Sequence, residues 1–272
     1  MFDLAAYLQR IGLSDASANA AGLSALQQAQ LRVVPFENLD PLRGIVPALG
    51  VEEIFAKTIS GRRGGYCFEL NTLFGTALEA VGFRVRRTLA RVRMRTGAEG
   101  ARSHLVLLVE AGERRFLADS GFGGPGSLIP LDLDEKGIQQ APNGTYRLVE
   151  DVERGETVLE RRKSGGWDAL YAFDGARVSD GDIAYANYTC ATWGNAPFPS
   201  HAMLGCYRGD TRYGLFDRLL TIETAEGAQR REIAHFDEFA TLVTDTMEIG
   251  LDRTELRRAW DRIDFDPSAV SG

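Results

Sequence analysis

The chain has 272 residues, 44% apolar and 25% charged, with 31 Lys+Arg against 38 Asp+Glu for a net charge of −7. A chain of this length buries roughly three-quarters of its unfolded surface, so stability needs no metal or disulfide staple, and two or three domains are expected. The acidic balance argues against a broad nucleic-acid or anionic-membrane footprint, which requires clustered positive charge.

Only Lys57, Lys136 and Lys163 are lysines and none follows a glycine, which removes a Walker-type phosphate loop. The cysteines, Cys67, Cys190 and Cys206, are odd in number and lack CxxC spacing, so neither a disulfide framework nor a zinc ribbon is indicated. Met1–Leu13 has no basic start followed by an apolar stretch, and no apolar run approaches the roughly 20 residues of a membrane span. The expectation is a soluble, cytoplasmic protein in a reducing environment, with no nucleic-acid or membrane partner.

In chain order, Leu4, Tyr7, Leu8 and Ile11 fall at helical spacing and Gly12 stops that helix. Leu23, Leu26 and Val33 continue the pattern to Pro35, and Ile54, Phe55 and Thr58 mark a short third helix. Cys67, Leu70, Asn71, Phe74, Leu78 and Val81 share one face of a fourth, closed by Gly82. Residues 1–82 thus read as a small helical bundle. From Phe83 the period becomes two: Phe83, Val85, Arg87 and Leu89 alternate, and His104–Glu110 and Arg114–Asp119 form β-rich runs around Ala111-Gly112. Tyr146–Val149 and Val158–Arg162 flank Gly155 as a hairpin, and Leu170–Phe173 is a further strand, so residues 83–175 read as an antiparallel sheet or small barrel. Residues 176–272 are mixed: a helix around Ile183–Ala186, strands near 212–215, 219–223 and 230–233, amphipathic segments from Phe236 and Leu256, and a fraying tail at Pro267–Gly272.

Gly64-Gly65 ahead of the fourth helix puts Cys67 at or near its N-terminus, where the helix end favours thiolate, with Arg62 and Arg63 adding to this if they face the site. The alternative is a small core cysteine. A catalytic cysteine needs a base, usually a histidine oriented by a third group, and only His104, His201 and His235 are available. With the turn centred on Ala111-Gly112, His104 and Asp119 stand directly opposite each other, with Cβ atoms about 5 Å apart. That suits a carboxylate fixing an imidazole tautomer. His201, His235, Cys190 and Cys206 have no such pattern and read as structural or surface residues. Gly121–Gly126 satisfies G-x-G-x-x-G, but Pro125, Pro130 and the β-like stretch 128–133 argue against the helix a dinucleotide site needs. Three scattered histidines without i, i+4 spacing speak against a catalytic zinc, and no metal is expected.

Arg63-Gly64-Gly65-Tyr66-Cys67-Phe68-Glu69-Leu70-Asn71, then His104-Leu105, then Asp119-Ser120-Gly121-Phe122-Gly123 resemble the arylamine N-acetyltransferases, as does Val34-Pro35-Phe36-Glu37-Asn38-Leu39. The order and spacing of these blocks agree over roughly residues 1–135, whereas Asn187 to Pro199 matches only loosely. Gln30 stands where histidine is frequent in the family and Ser120 where valine is commoner. The resemblance implies an α+β fold: a helical bundle (1–82), an antiparallel β-barrel (83–175) and an interdomain helical segment with an α/β lid (176–272), around a core related to papain-like and transglutaminase-like cysteine enzymes. It implies Cys67, His104 and Asp119 as catalytic triad and acetyl-coenzyme A as co-substrate. It also implies ping-pong acetyl transfer to arylamines, hydrazines or arylhydroxylamines, and so a role in xenobiotic metabolism. Phe36 and Phe122 are candidate walls for an aromatic acceptor, with core packing the alternative. Gly123, Gly124 and Gly126 are candidate backbone contacts to the cofactor. A monomer or homodimer is expected. Competing readings are a macrolactam-forming amide synthase of the same family, a cysteine hydrolase, and a thioester- or arylamine-binding protein without turnover.

Overall fold

The computed structural model describes residues 2–94 and 97–263, so the tail expected at Pro267–Gly272 lies outside the described residues. Helix α1 (Leu4–Ile11) is capped by the Asp3 side chain on the Ala6 N–H and ends at Gly12. Asn19 caps α2 (Ala20–Val33) in the same way through Gly22. Strand β1 (Phe36–Glu37), α3 (Leu39–Leu42) and α4 (Val51–Phe55) follow, the last running into a π-helical turn (Ala56–Ser60). Helix α5 (Cys67–Val81) starts where Glu69 reaches back to accept the Tyr66 N–H at 3.1 Å, and stops at Gly82.

Eight antiparallel strands come next: β2 (Arg84–Val92), β3 (Arg102–Ala111), β4 (Arg114–Ala118), β5 (Leu131–Asp132), β6 (Ile138–Ala141), β7 (Gly144–Asp151), β8 (Glu156–Lys163) and β9 (Gly166–Phe173). Their order, β5-β4-β3-β2-β9-β8-β7-β6, leaves β5 and β6 as the two edges. Gln139 of β6 bridges those edges, its Oε1 accepting the Asp132 N–H and its Nε2 donating to the Asp132 carbonyl, both at 2.8 Å. A side-chain amide thus satisfies an edge backbone as a ninth strand would, and the sheet is a nearly closed barrel. The β-like run at 128–133 contributes only the two residues of β5, and β6 carries no sequence signal of its own.

Helix α6 (Asp180–Thr192) is longer than its sequence pattern foretells, because Ser179 and Asp182 cap it reciprocally. A second sheet, β1-β10-β11-β12-β13, is built from β10 (Met203–Arg208), β11 (Thr211–Phe216), β12 (Leu219–Thr224) and β13 (Gly227–Glu232). Its edge strand β1 comes from between the N-terminal helices, pairing Phe36 with Gly205 and Glu37 with Leu204. Helices α7 (Phe236–Thr241) and α8 (Arg253–Trp260) cover this sheet through Phe239, Leu256 and Trp260.

Strand β3 is buried on both faces. Leu105, Leu107 and Val109 pack on the helical core with Leu70, Leu73 and Phe74 of α5, whereas Val106 and Leu108 point into the barrel with Leu159 and Tyr171. This two-sided burial erases the polar–apolar alternation that would mark β3 as a surface strand. Gln139→Ala is expected to lower unfolding free energy by about 1–3 kcal/mol, because it strands the Asp132 N–H and carbonyl at once. Urea unfolding checks this, with Gln139→Glu, which keeps the acceptor and loses the donor, falling between the two.

Candidate active site

The start of α5 is set by a close backbone approach. Gly65 accepts the Glu37 N–H at 2.8 Å, and a Cβ on Gly64 would lie 2.1 Å from the Pro35 carbonyl oxygen. Only a residue without a side chain lets β1 lie this near, and the result is Cys67 as the first residue of α5. Arg63 does not face the thiol as the sequence allowed. It binds Glu37 at 2.7 Å and Asp40 at 3.0 Å, while Lys57 binds Asp40 and Glu69, both at 2.7 Å. Arg62 is exposed, with φ of +52°. Arg63 therefore secures the helix entrance, and neither arginine figures in the shift of the thiol.

Cys67 is 2% exposed, and its Sγ lies 3.7 Å from the Ser103 carbonyl oxygen. Burial pushes the Cys67 thiol well above its ordinary value and Cys190 adds to the rise, with the N–H groups of Leu105 and Phe68 offsetting part of it. Here burial overrides the helix-end effect expected from sequence, because removing charge from water costs more than partial charges return. The sulfur sits between the backbones of Ser103 and Leu105, which places it against the strand position of His104.

The His104–Asp119 pairing forms by a different register from the one expected. The hairpin turns at Gly112-Glu113, with Gly112 at φ +68°, so Leu107 faces Ala118 and Ala111 faces Arg114. The ladder stops at Leu107–Ala118, and Asp119 stands diagonal to His104 instead of opposite it. The shift is two residues and the side-chain period is two, so both remain on one face. His104 Nε2 meets Asp119 Oδ2 at 2.7 Å. The imidazole also packs with the rings of Phe122, 5.1 Å away, and Tyr171, 4.9 Å away, which touch each other at 5.1 Å.

Asp119 gathers donors that sequence reasoning did not single out. Asn71 Nδ2 and the Gly121 N–H reach its Oδ1 at 2.8 and 2.9 Å. Its own N–H donates to Gln27 Oε1 at 3.0 Å. Burial alone would raise the Asp119 carboxyl, but His104, Asn71 and Gly121 outweigh it and hold the group below its usual value. Asn71 follows Cys67 by four residues, on the same helix face, which is the one signal that pointed to it.

Cys67, His104 and Gly121 open on a cavity of about 2330 Å³ whose walls include Phe36, Phe122, Gly123, Gly124, Phe198 and His201. Gly126, expected at the cofactor, is not on that wall: its carbonyl accepts from Asn143 at 2.7 Å and Tyr146 at 3.0 Å. No helix follows the Gly121–Gly126 loop, in line with its rejection as a dinucleotide site. Two residues read as structural or surface also belong here. Cys190 Sγ lies 3.8 Å from the same Ser103 oxygen that Cys67 approaches, and His201 is held by Asp217 at 2.8 Å. The Cys190 approach joins segments 87 residues apart in the chain. Among the described residues, no group of three or more His, Cys, Asp or Glu is arranged to hold a metal ion, and no helix is long and apolar enough to cross a membrane.

A family model described as N-acetyltransferase matches residues 20–256. The arylamine N-acetyltransferase of Mycolicibacterium smegmatis is 34% identical over 262 residues, 93% of this chain and 94% of that protein. The chain belongs to the arylamine N-acetyltransferase family. The Escherichia coli arylamine N-acetyltransferase is 36% identical over 200 residues, 73% of this chain and 70% of that protein. The solved Mycobacterium marinum arylamine N-acetyltransferase in complex with CoA matches with a TM-score of 0.90 at 29% identity, covering 96% of this chain and 100% of that one. The α+β arrangement of helices and nearly closed barrel is the arylamine N-acetyltransferase fold, and the enzymes of this family are acyltransferases.

Burial pushes Glu69 up to about 7 against the pull of Lys57. Its folded value lies above its unfolded one, so the stability it contributes is complete below pH 4.5 and lost as pH rises through about 7. Glu69→Gln is expected to flatten the stability–pH curve across that window, measured by chemical unfolding at several pH values.

Proposed function

We propose that this chain transfers an acetyl group from acetyl-coenzyme A to the nitrogen of an arylamine, hydrazine or arylhydroxylamine, through an acetyl-Cys67 intermediate. The observation that carries this is the 2.7 Å His104–Asp119 contact beside a buried Cys67 whose sulfur lies between the backbones of residues 103 and 105. A neutral imidazole donating from Nε2 to Asp119 carries its lone pair on Nδ1, free to take the thiol proton. Burial disfavours an isolated thiolate, but moving the proton from Cys67 to His104 creates an ion pair without changing the net charge. The nucleophile is thus made only together with imidazolium, and Asp119 stabilises that imidazolium.

The Cys67 sulfur attacks the thioester carbonyl, and the coenzyme A thiolate departs with the proton from His104. Thioester exchange is close to isoenergetic, which suits a sulfur nucleophile. The amine then attacks acetyl-Cys67, His104 accepts its proton, and the amide leaves with the thiol restored. Backbone N–H groups at the start of α5, that of Cys67 among them, stabilise the oxyanion. The cavity exceeds the roughly 300–1,000 Å³ of a single small-ligand site, which supports its use by a long acyl donor and an acceptor. Phe36 and Phe122 flank the acceptor, Gly123 and Gly124 offer backbone to the donor, and the units 1–82, 83–175 and 176–272 each supply part of the wall.

Intact mass spectrometry after mixing with acetyl-coenzyme A tests this. A single acetyl adduct is expected, absent in Cys67→Ala and discharged on adding an arylamine. No adduct and no coenzyme A release would sink the proposal, and discharge by water alone would favour a hydrolase. Independently, His104→Gln is expected to slow iodoacetamide alkylation of Cys67 at neutral pH by about 10²-fold. An unchanged rate would mean that the two side chains are uncoupled.

A further inference from the structure

Behind Asp119, away from the cavity, runs a line of buried polar side chains that the reaction does not use. Tyr7, Gln30, Asn71 and Ser120 are each 0–2% exposed. The Tyr7 hydroxyl lies 2.7 Å from Gln30 Oε1, and Gln30 Nε2 lies 2.8 Å from Ser120 Oγ. Ser120 Oγ is 3.4 Å from Asn71 Oδ1, and Asn71 Nδ2 is 2.8 Å from Asp119 Oδ1.

The direction of every proton in this line is forced by neighbours that can play only one role. The Ser120 N–H can only donate, and at 2.9 Å it requires Asn71 to present its oxygen there. The Asn71 nitrogen therefore faces two acceptors, Asp119 and the Leu105 carbonyl at 2.6 Å. The Leu70 carbonyl can only accept, and at 3.1 Å it requires the nitrogen of Gln30, which turns the Gln30 oxygen to Tyr7. Ser120, already accepting from Gln30, has its own proton left for Asn71. The bonds thus run one way, from Tyr7 to the carboxylate, and such chains polarise one another in a low-dielectric interior.

We propose that Tyr7, Gln30 and Ser120 form a one-way donor chain that holds and polarises the Asn71 amide against Asp119, making Gln30 and Ser120 positioning residues for the triad. The inference rests on Cys67, His104 and Asp119 being the reacting set. Its consequence is chemical: a well-donated Asp119 stays ionised and aligned on His104, so the thiolate–imidazolium pair forms at lower pH. The other titratable groups facing this carboxylate are His104 from β3, Tyr171 from β9 and Cys67 from α5, with Cys190 from α6 facing Cys67.

The test is the rate of iodoacetamide alkylation of Cys67 against pH in the full chain, with thermal unfolding measured alongside. Ser120→Ala and Gln30→Met are expected to slow alkylation at neutral pH by about three- to tenfold and move the half-maximal rate to higher pH. The near-isosteric Tyr7→Phe gives a smaller shift of the same sign and keeps the test open should Gln30→Met fail to fold. The double variant shifts no further than Ser120→Ala alone, because Gln30 acts through Ser120. Variants that lose thermal stability while keeping the wild-type pH midpoint, or shifts that add in the double variant, would overturn the chain. A missing acetyl adduct in the unaltered protein would sink the acetyl-transfer reading alone, since alkylation needs no acyl donor.

Discussion

A carboxylate held largely out of water must be surrounded by hydrogen-bond donors, and Asp119, its side chain 9% exposed, draws its donors from helix, strand and loop alike. His104 comes from β3, Asn71 from α5 and Gly121 from the loop that follows β4. Gln27 of α2 holds the backbone at both ends of that loop, accepting the Asp119 N–H and donating to the Ser127 carbonyl at 3.1 Å. Helices and barrel must therefore meet at one point in one orientation. Leaving any of these donors out would expose a buried charge to an apolar interior, a cost of several kcal/mol.

The same logic, with opposite signs balanced against each other, governs the entrance of α5. Glu37, Asp40, Lys57, Arg63 and Glu69 form a buried ion-pair network that no single pair would justify. It ties β1 and α3 to the start of α5. Because β1 also pairs with β10, the C-terminal sheet is registered to Cys67 through two residues of strand. Arg212 of that sheet adds a second tie, donating to the Gly123 carbonyl at 3.0 Å. Cavity geometry and the position of Cys67 are consequently one structural property rather than two.

Electrostatically the site separates its tasks. Donors depress Asp119 and burial raises Cys67, and in the proposed reaction His104 is the group that carries the proton. A buried thiol that stays protonated is shielded from casual reaction. A carboxylate that stays charged keeps the imidazole oriented. The aromatic neighbours Phe122 and Tyr171 restrict the ring of His104 without competing for its nitrogens.

Composition and spacing alone were enough for the helix–barrel–mixed order, for Cys67 opening a helix, and for His104 and Asp119 sharing a hairpin face. Helix periodicity, a glycine pair and period-two alternation are local signals, and local signals survive in a linear sequence. The hairpin register was off by two residues, an error that parity forgave because side chains alternate. What only the tertiary structure decided are contacts between distant segments: Asn71 and Gln27 on Asp119, Cys190 beside Cys67, and Arg63 drawn to Glu37 instead of the thiol. So too with the net effect of burial on the thiol, since solvent exclusion depends on everything packed around a group and no residue carries it alone.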